Sequence, residues 1–300
     1  MKIAILMSTF NGQDYLDEQL ESLYNQTIKD NIVVYIRDDG SSDDTLNIIQ
    51  RWSKKMNIVL FKGENSGPAL SFWMLFMDSN IQADFYAFCD QDDIWDSDKV
   101  EVAVNSLKLN EEADLYACNC RIIDEFGEII NKKRIVSELD PCIEKLFVSG
   151  CTQGCSMVFT DKLRCVVKKM KLQCIPMHDI VLMLHAVCMG KIIWDSVPHF
   201  SYRVHSKNVV AKGNKTFYQK INTTINNWKN SSKNSMSDVA NELLKNNNHL
   251  TKADREYLMC ISSYKVSFNK KLKIMFNKRI RRLPKRLLNS YRFRILFNLY

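Results

Sequence analysis

The stretch Asp84-Phe85-Tyr86-Ala87-Phe88-Cys89-Asp90-Gln91-Asp92-Asp93-Ile94-Trp95-Asp96 decides how this chain is read. An unbroken apolar run, Phe85 to Cys89, ends abruptly in three carboxylates, Asp90, Asp92 and Asp93. A short continuous apolar run suits a strand buried on both faces. Three negative charges so close together repel one another. They become favourable together around a hard cation, which prefers oxygen ligands. A strand tip that holds a cation suggests a site for a phosphorylated ligand.

Upstream, the same grammar repeats. Ile3–Met7, Ile32–Ile36 and Ile58–Phe61 are short apolar runs, each followed by a turn signal and a helical pattern. Tyr15, Leu16, Gln19, Leu20 and Leu23 lie at helical spacing. Ser42 or Asp43 is expected to cap the helix that runs to about Trp52. Pro68 is acceptable in the first turn of the helix that runs to about Met77. A fourth helix is predicted over 98–109. The order βαβαβαβα argues for a parallel sheet covered by helices. Such sheets bind ligands at the carboxyl ends of their strands, where both acidic segments, 38–44 and 90–93, fall.

After residue 110 the regularity fails. Asp124-Glu125-Phe126-Gly127 reads as a turn between two strands. Residues 149–156 form a small-residue loop before a strand over Met157–Thr160. Ile175-Pro176-Met177-His178-Asp179 opens a helix to about Met189. Lys191–Trp194 and Phe200–Val204 are predicted strands, and from about 215 the pattern is helical and polar.

Composition excludes several classes. Hydrophobic residues at 46% and charged residues at 25% argue against a disordered or fibrous chain. No apolar run approaches the roughly 18 residues that a spanning helix needs. The apolar run at the start is too short for a signal peptide, so a cytoplasmic location is expected. Ten scattered cysteines without a Cys-x-x-Cys pair read as reduced thiols rather than a zinc site. The net charge is +8, but the chain after Glu256 has twelve Lys or Arg and no acidic residue, which leaves about −4 for the remainder. Leu287, Leu288, Tyr291, Ile295 and Leu299 are expected to form an apolar helical face that lies in a membrane interface, among Lys285, Arg286, Arg292 and Arg294. No nucleic-acid-binding motif accompanies this basic tail.

Ser8-Thr9-Phe10-Asn11, Arg37-Asp38-Asp39-Gly40-Ser41 and Asp90-Gln91-Asp92-Asp93-Ile94-Trp95, in that order, resemble family 2 glycosyltransferases, inverting enzymes of GT-A fold that use nucleotide-sugar donors. The resemblance covers about residues 1–213. With Met177-His178-Asp179 and Tyr202-Arg203-Val204-His205 downstream, the chain is most similar to bacterial rhamnosyltransferases of surface-polysaccharide assembly.

The resemblance implies a Rossmann-like, mostly parallel sheet over 1–213, with nucleotide-sugar binding in 1–110 and the acceptor side in 111–213. A helical basic region over 214–300 follows, expected to associate with a membrane. It implies that Asp92 ligates a divalent metal, Mn2+ or Mg2+, with Asp90 in the ribose and metal shell and His205 as a further metal ligand. Asp39 and Thr9 would meet a pyrimidine base, Asn65 and Gly67 would shape the donor loop, and Arg203 would contact the diphosphate. Asp179 would be the general base, which takes the acceptor proton as oxygen attacks the anomeric carbon. Gly150, Cys151 and Gly154 would form the loop below the acceptor. The expected donor is dTDP-L-rhamnose, with a UDP-hexose next. The expected acceptor is a lipid-linked saccharide of O-antigen or capsule, reached from a peripheral position on the cytoplasmic membrane face. A sugar-1-phosphate nucleotidyltransferase would need a basic residue in the glycine-rich loop after the first strand, and Ser8-Thr9-Phe10-Asn11-Gly12 has none. A scaffold that has lost catalysis would not need the carboxylates to be intact.

Overall fold

The computed structural model describes residues 1–136, 139–172, 175–206, 235–247 and 250–300. Its centre is one nine-stranded sheet in the order β3-β2-β1-β4-β8-β6-β9-β5, with β7 paired to β6. β1 (Ile3–Thr9), β2 (Ile32–Asp38), β3 (Ile58–Lys62) and β4 (Phe85–Cys89) run parallel, as the sequence predicts. α1 (Leu16–Tyr24), α2 (Thr45–Trp52) and α3 (Pro68–Met77) connect them.

The second half departs from a purely parallel plan. β8 (Met157–Thr160) inserts antiparallel between β4 and β6 (Ala113–Ile123). β5 (Ile94–Trp95) pairs antiparallel with β9 (Lys191–Arg203). The two predicted strands at 191–194 and 200–204 are one long strand, β9, which runs parallel to β6 through register shifts. The turn at Asp124–Gly127 joins β6 to β7 (Ile129–Asn131) as expected.

Burial explains the layering. β1 is buried on both faces, and its alternate residues feed two cores. Ala4 and Leu6 join α3, α5 (Ile143–Val148), α6 (Asp161–Val167) and α7 (His178–Met189) on one face. Ile3, Ile5 and Met7 meet α1, α2 and α4 (Lys99–Leu109) on the other. The nine described cysteines are free thiols.

Local details refine the expectations. Pro68 sits in the first turn of α3. The cap of α2 lies one residue further on than predicted. The helix starts after Asp44, Asp43 Oδ1 accepts the Thr45 N–H at 3.1 Å, and the Ser42 N–H donates to Asn11 Oδ1.

Helices α8 (Ser235–Asn246), α9 (Lys252–Ser263), α10 (Phe268–Met275) and α11 (Lys285–Leu296) fold onto the first core face. The expected boundary at 213/214 lies outside the described residues. The expected membrane face of the last helix is corrected. Leu288, Tyr291 and Ile295 are buried in the core, and only Leu287 is exposed. Those residues do share one helical face, but the apolar surface of α5 and α9 covers it first: Tyr291 Oη is 2.6 Å from Tyr257 Oη.

Candidate active site

The parallel order places the tips of β2, β1 and β4 side by side, so Asp38–Asp39 and Asp90–Asp93 flank the tip of β1 on one rim. Gln91 ties the acidic loop to that tip, accepting the Phe10 N–H at 2.9 Å and donating to the Phe10 carbonyl at 3.1 Å. Gly12 makes this possible, because a Cβ there would lie 2.3 Å from Gln91 Oε1.

At the β2 tip the carboxylates are engaged by protein donors. Asp38 accepts from Thr9 Oγ1 at 3.0 Å and from the Ser41 N–H at 2.9 Å. Gly40 turns the chain there at φ +85°. Asp39 is buried and pairs with Arg37. It also accepts the Ser66 N–H at 3.0 Å and the Gly67 N–H at 2.8 Å. Burial opposes its charge, but the bonds from Arg37, Ser66 and Gly67 outweigh that and hold its pKa below the ordinary carboxylate value. In this state Asp39 clamps the 63–67 loop, and Thr9 is fully buried beneath it. Asn65 stands exposed on that loop.

At the β4 tip the opposite holds. Burial, then the neighbouring Asp92 charge, pushes the Asp90 pKa up to about 7. Burial, then Asp90 and Asp92, pushes fully buried Asp93 well above the ordinary carboxylate value. Among the described residues Asp93 Oδ2 has no hydrogen-bond partner, while Oδ1 accepts the Arg203 N–H at 3.3 Å. Oxygens of Asp90 and Asp93 and Cys155 Sγ lie within 4.8 Å of one another. Lys99 lies fully buried nearby, its Nζ 3.1 Å from the centre of the Trp95 ring. Asp92 turns the other way, with Oδ2 2.8 Å from His205 Nε2. The His205 ring rests on Tyr15, centroids 4.7 Å apart.

These residues fit a divalent cation. Burial and mutual repulsion raise Asp90 and Asp93 above the ordinary carboxylate value, a penalty that a bound cation would relieve, and Asp92 with His205 offers a close oxygen–nitrogen pair. A cation here would be held by Asp92 and His205, with Asp90 alongside. When bound, it would supply Lewis-acid neutralisation of a diphosphate leaving group.

Arg203 lies at the end of β9, behind the acidic loop. It is buried, and its guanidinium donates to the Asp92 carbonyl at 3.1 Å and the Glu125 carbonyl at 3.2 Å. It also pairs with Glu18 and lies 4.7 Å from the centre of the Tyr15 ring. In this state its guanidinium is engaged by the protein and braces the acidic loop. The motif's Lys207 and Asn208, and His249, lie outside the described residues.

Asp179 stands in the first turn of α7, and its Oδ1 accepts the Ile180 N–H at 2.7 Å. Burial pushes its pKa up to about 6, against the opposing backbone N–H groups of Ile180 and Gly154. The Asp179 charge is one of the smaller causes that raise the Asp90 pKa, so the two carboxylates face a common region. His178 is a buried neutral imidazole, its pKa lowered to about 3 by desolvation between Phe72 and Phe88. Gly154 is required beneath it, since a Cβ there would lie 2.8 Å from His178 Nε2. The Gly150–Gly154 loop therefore lies against Asp179, a Cβ on Gly154 falling 3.4 Å from the Asp179 Cβ. Sequence reasoning missed Cys155, Lys99, Gln91 and Glu18. Lys99 carried a readable signal, a lone cation among apolar residues on the buried face of α4.

A rim of carboxylates at parallel strand tips, an acidic loop and a helix with a carboxylate are the layout of the GT-A fold. The glycosyl transferase family 2 model matches residues 4–167, and the chain belongs to that family. It is 29% identical over 238 residues to the dTDP-rhamnosyl transferase RfbG of Shigella flexneri, covering 74% of this chain and 80% of that protein. It is 23% identical to an uncharacterized glycosyltransferase, RT0329, of Rickettsia typhi, covering 68% of this chain and 64% of the relative. Among solved structures, S. aureus TarS 1-349 in complex with UDP-GlcNAc matches all of this chain and 89% of its own with a TM-score of 0.61, at 15% identity. The mannosyltransferase PcManGT of Pyrobaculum calidifontis, in complex with GDP-Man and Mn2+, covers 99% of this chain and 87% of its own, at TM-score 0.55 and 14% identity. These structural likenesses support the GT-A fold.

Proposed function

We propose that this chain is a metal-dependent, inverting glycosyltransferase that moves L-rhamnose from dTDP-L-rhamnose to a lipid-linked saccharide. The product would enter O-antigen or capsule at the cytoplasmic face of the membrane, where the enzyme sits peripherally. The observation that carries the mechanism is the placement of Asp179 in the first turn of α7, packed against Gly154, where burial raises its pKa. At about 6, its carboxylate is charged at neutral pH yet basic enough to take a proton as a bond forms. Asp179 accepts the acceptor hydroxyl proton. The oxygen then attacks the anomeric carbon on the face opposite the diphosphate, and the carbon–oxygen bond to the diphosphate breaks. Burial keeps Asp179 basic against the Ile180 and Gly154 N–H groups, and its place in the first turn of α7 fixes it. Gln91 and Arg203 hold the acidic loop against β1, so the leaving-group side stays in register with the base.

The donor assignment rests on the similarity to RfbG, whose name states dTDP-rhamnosyl transfer. A panel of dTDP- and UDP-sugars, scored by nucleotide release with and without a lipid-linked saccharide, tests it. Acceptor-dependent release from dTDP-L-rhamnose is expected. Preferential release from a UDP-hexose would replace the donor and keep the mechanism.

A further inference from the structure

The buried face of α11 leaves the basic region without the membrane contact that its sequence suggested. The structure offers a different one. On α10 and its C-terminal end, Phe268, Leu272 and Phe276 lie four residues apart on one stripe and are 64%, 38% and 53% exposed. Lys271 Nζ donates to the Leu296 carbonyl at 2.9 Å, which brings exposed Leu296 and Phe297 from the end of α11 beside this stripe. The Arg292 guanidinium lies 4.9 Å from the centre of the Phe276 ring. Exposed Lys273 and Lys278 flank it, and residues 257–300 contain no Asp or Glu.

We infer that this stripe, Phe268–Leu272–Phe276 with Leu296 and Phe297, is a docking surface for an anionic phospholipid bilayer. Isolated exposed apolar side chains need no explanation, but five together, flanked by Lys273, Lys278 and Arg292, do. Apolar side chains inserted at headgroup depth, with Lys and Arg on anionic headgroups, are the chemistry of interfacial attachment. An acidic protein partner would meet the charge but would not need the aromatic stripe. The position also suits the proposed acceptor. The C-terminal helices pack on α5, where Arg279 meets Glu144 at 3.3 Å and Phe147 meets Tyr257 with ring centroids 6.0 Å apart. α5 leads directly into the loop that carries Gly154 to Asp179. The purpose of the surface, though not its existence, rests on the reading of a lipid-linked acceptor.

The test is flotation of the full chain with phosphatidylcholine vesicles, with and without phosphatidylglycerol, in the absence of donor and acceptor. Wild type is expected to float with phosphatidylglycerol vesicles and to be released by salt. The triple variant Phe268→Ser, Leu272→Ser, Phe276→Ser is expected to lose more than about tenfold in apparent affinity. Phe126→Ser with Ile130→Ser, exposed apolar positions of the β6–β7 hairpin, is expected to bind as wild type. Circular dichroism confirms that each variant is folded. A folded triple variant that floats like wild type, or a wild type that never floats, overturns the inference. So does a wild type that forms dimers broken by the triple variant without binding vesicles, since the stripe would then join two copies. Binding needs no turnover, so failure of the rhamnosyl reading in the donor panel leaves this result standing, and the converse also holds.

Discussion

Two carboxylate stations share one rim of the sheet and are built in opposite ways. At the β2 tip, Asp39 is surrounded by donors: Arg37, the Ser66 hydroxyl and N–H, and the Gly67 N–H. Its pKa is lowered. At the β4 tip and across from it, Asp90, Asp93 and Asp179 are desolvated without enough donors, and all three pKa values are raised. A carboxylate that the protein has satisfied serves as a structural clamp. A carboxylate left unsatisfied is disposed to take what the fold does not provide, a cation or a proton. The contrast separates residues that the motif alone treats as equivalent acids.

The sharpest way to break this comparison is Asp179→Asn. Transfer is expected to fall by about 10²–10⁴-fold with donor affinity unchanged, as measured by steady-state kinetics and calorimetry. The same variant is expected to be more stable at neutral pH by about 1–3 kcal/mol in urea unfolding. The sign follows from the raised pKa: charged Asp179 costs stability as pH rises through about 6, and the amide carries no charge. Full activity in this variant would remove Asp179 from the mechanism. Next in size, Asp92→Ala is expected to lose more than about tenfold of the Mn2+-dependent part of nucleotide affinity. Equal calorimetric affinity with and without the substitution would contradict the cation site.

A stability pair tests the two stations directly. Asp39→Asn leaves the buried Arg37 guanidinium without its counter-charge and is expected to cost about 3 kcal/mol. Asp90→Asn, without added metal, is expected to be neutral or stabilising by about 1 kcal/mol. Equal losses in both would erase the distinction. The Asp39 contribution is present at neutral pH and is lost on acidification, because its folded pKa lies below the unfolded one. The smallest effect is the pH profile itself. Transfer is expected to rise with pH through a midpoint of about 6 as Asp179 loses its proton, and a flat profile there would assign the base elsewhere.

Much of this site was legible in the sequence because its local signals are strong. The runs ending at Thr9, Asp38 and Cys89 are strands, and the acids that follow them stand at the carboxyl end of a parallel sheet. The link between Asp92 and His205, 113 positions apart, came from motif order, and the structure brings the pair to 2.8 Å. A motif arginine beside an acidic loop is consistent both with a phosphate contact and with a brace, and the sequence held no sign that Arg203 is buried against Glu18 and two loop carbonyls. The last helix was misread for a similar reason. An apolar stripe at helical spacing shows that a face will be buried, but not whether membrane or protein will cover it.

The sequence by itself determined the strand-and-helix grammar, the acidic tip at 90–93 and the basic asymmetry of the tail. Each is written in neighbouring residues, through period, breaker and charge. Tertiary structure alone decided which acids are satisfied and which are not. A carboxylate's pKa is set by donors and burial supplied from distant segments: Ser66 and Gly67 for Asp39, Gly154 for Asp179, and Cys155 for Asp90.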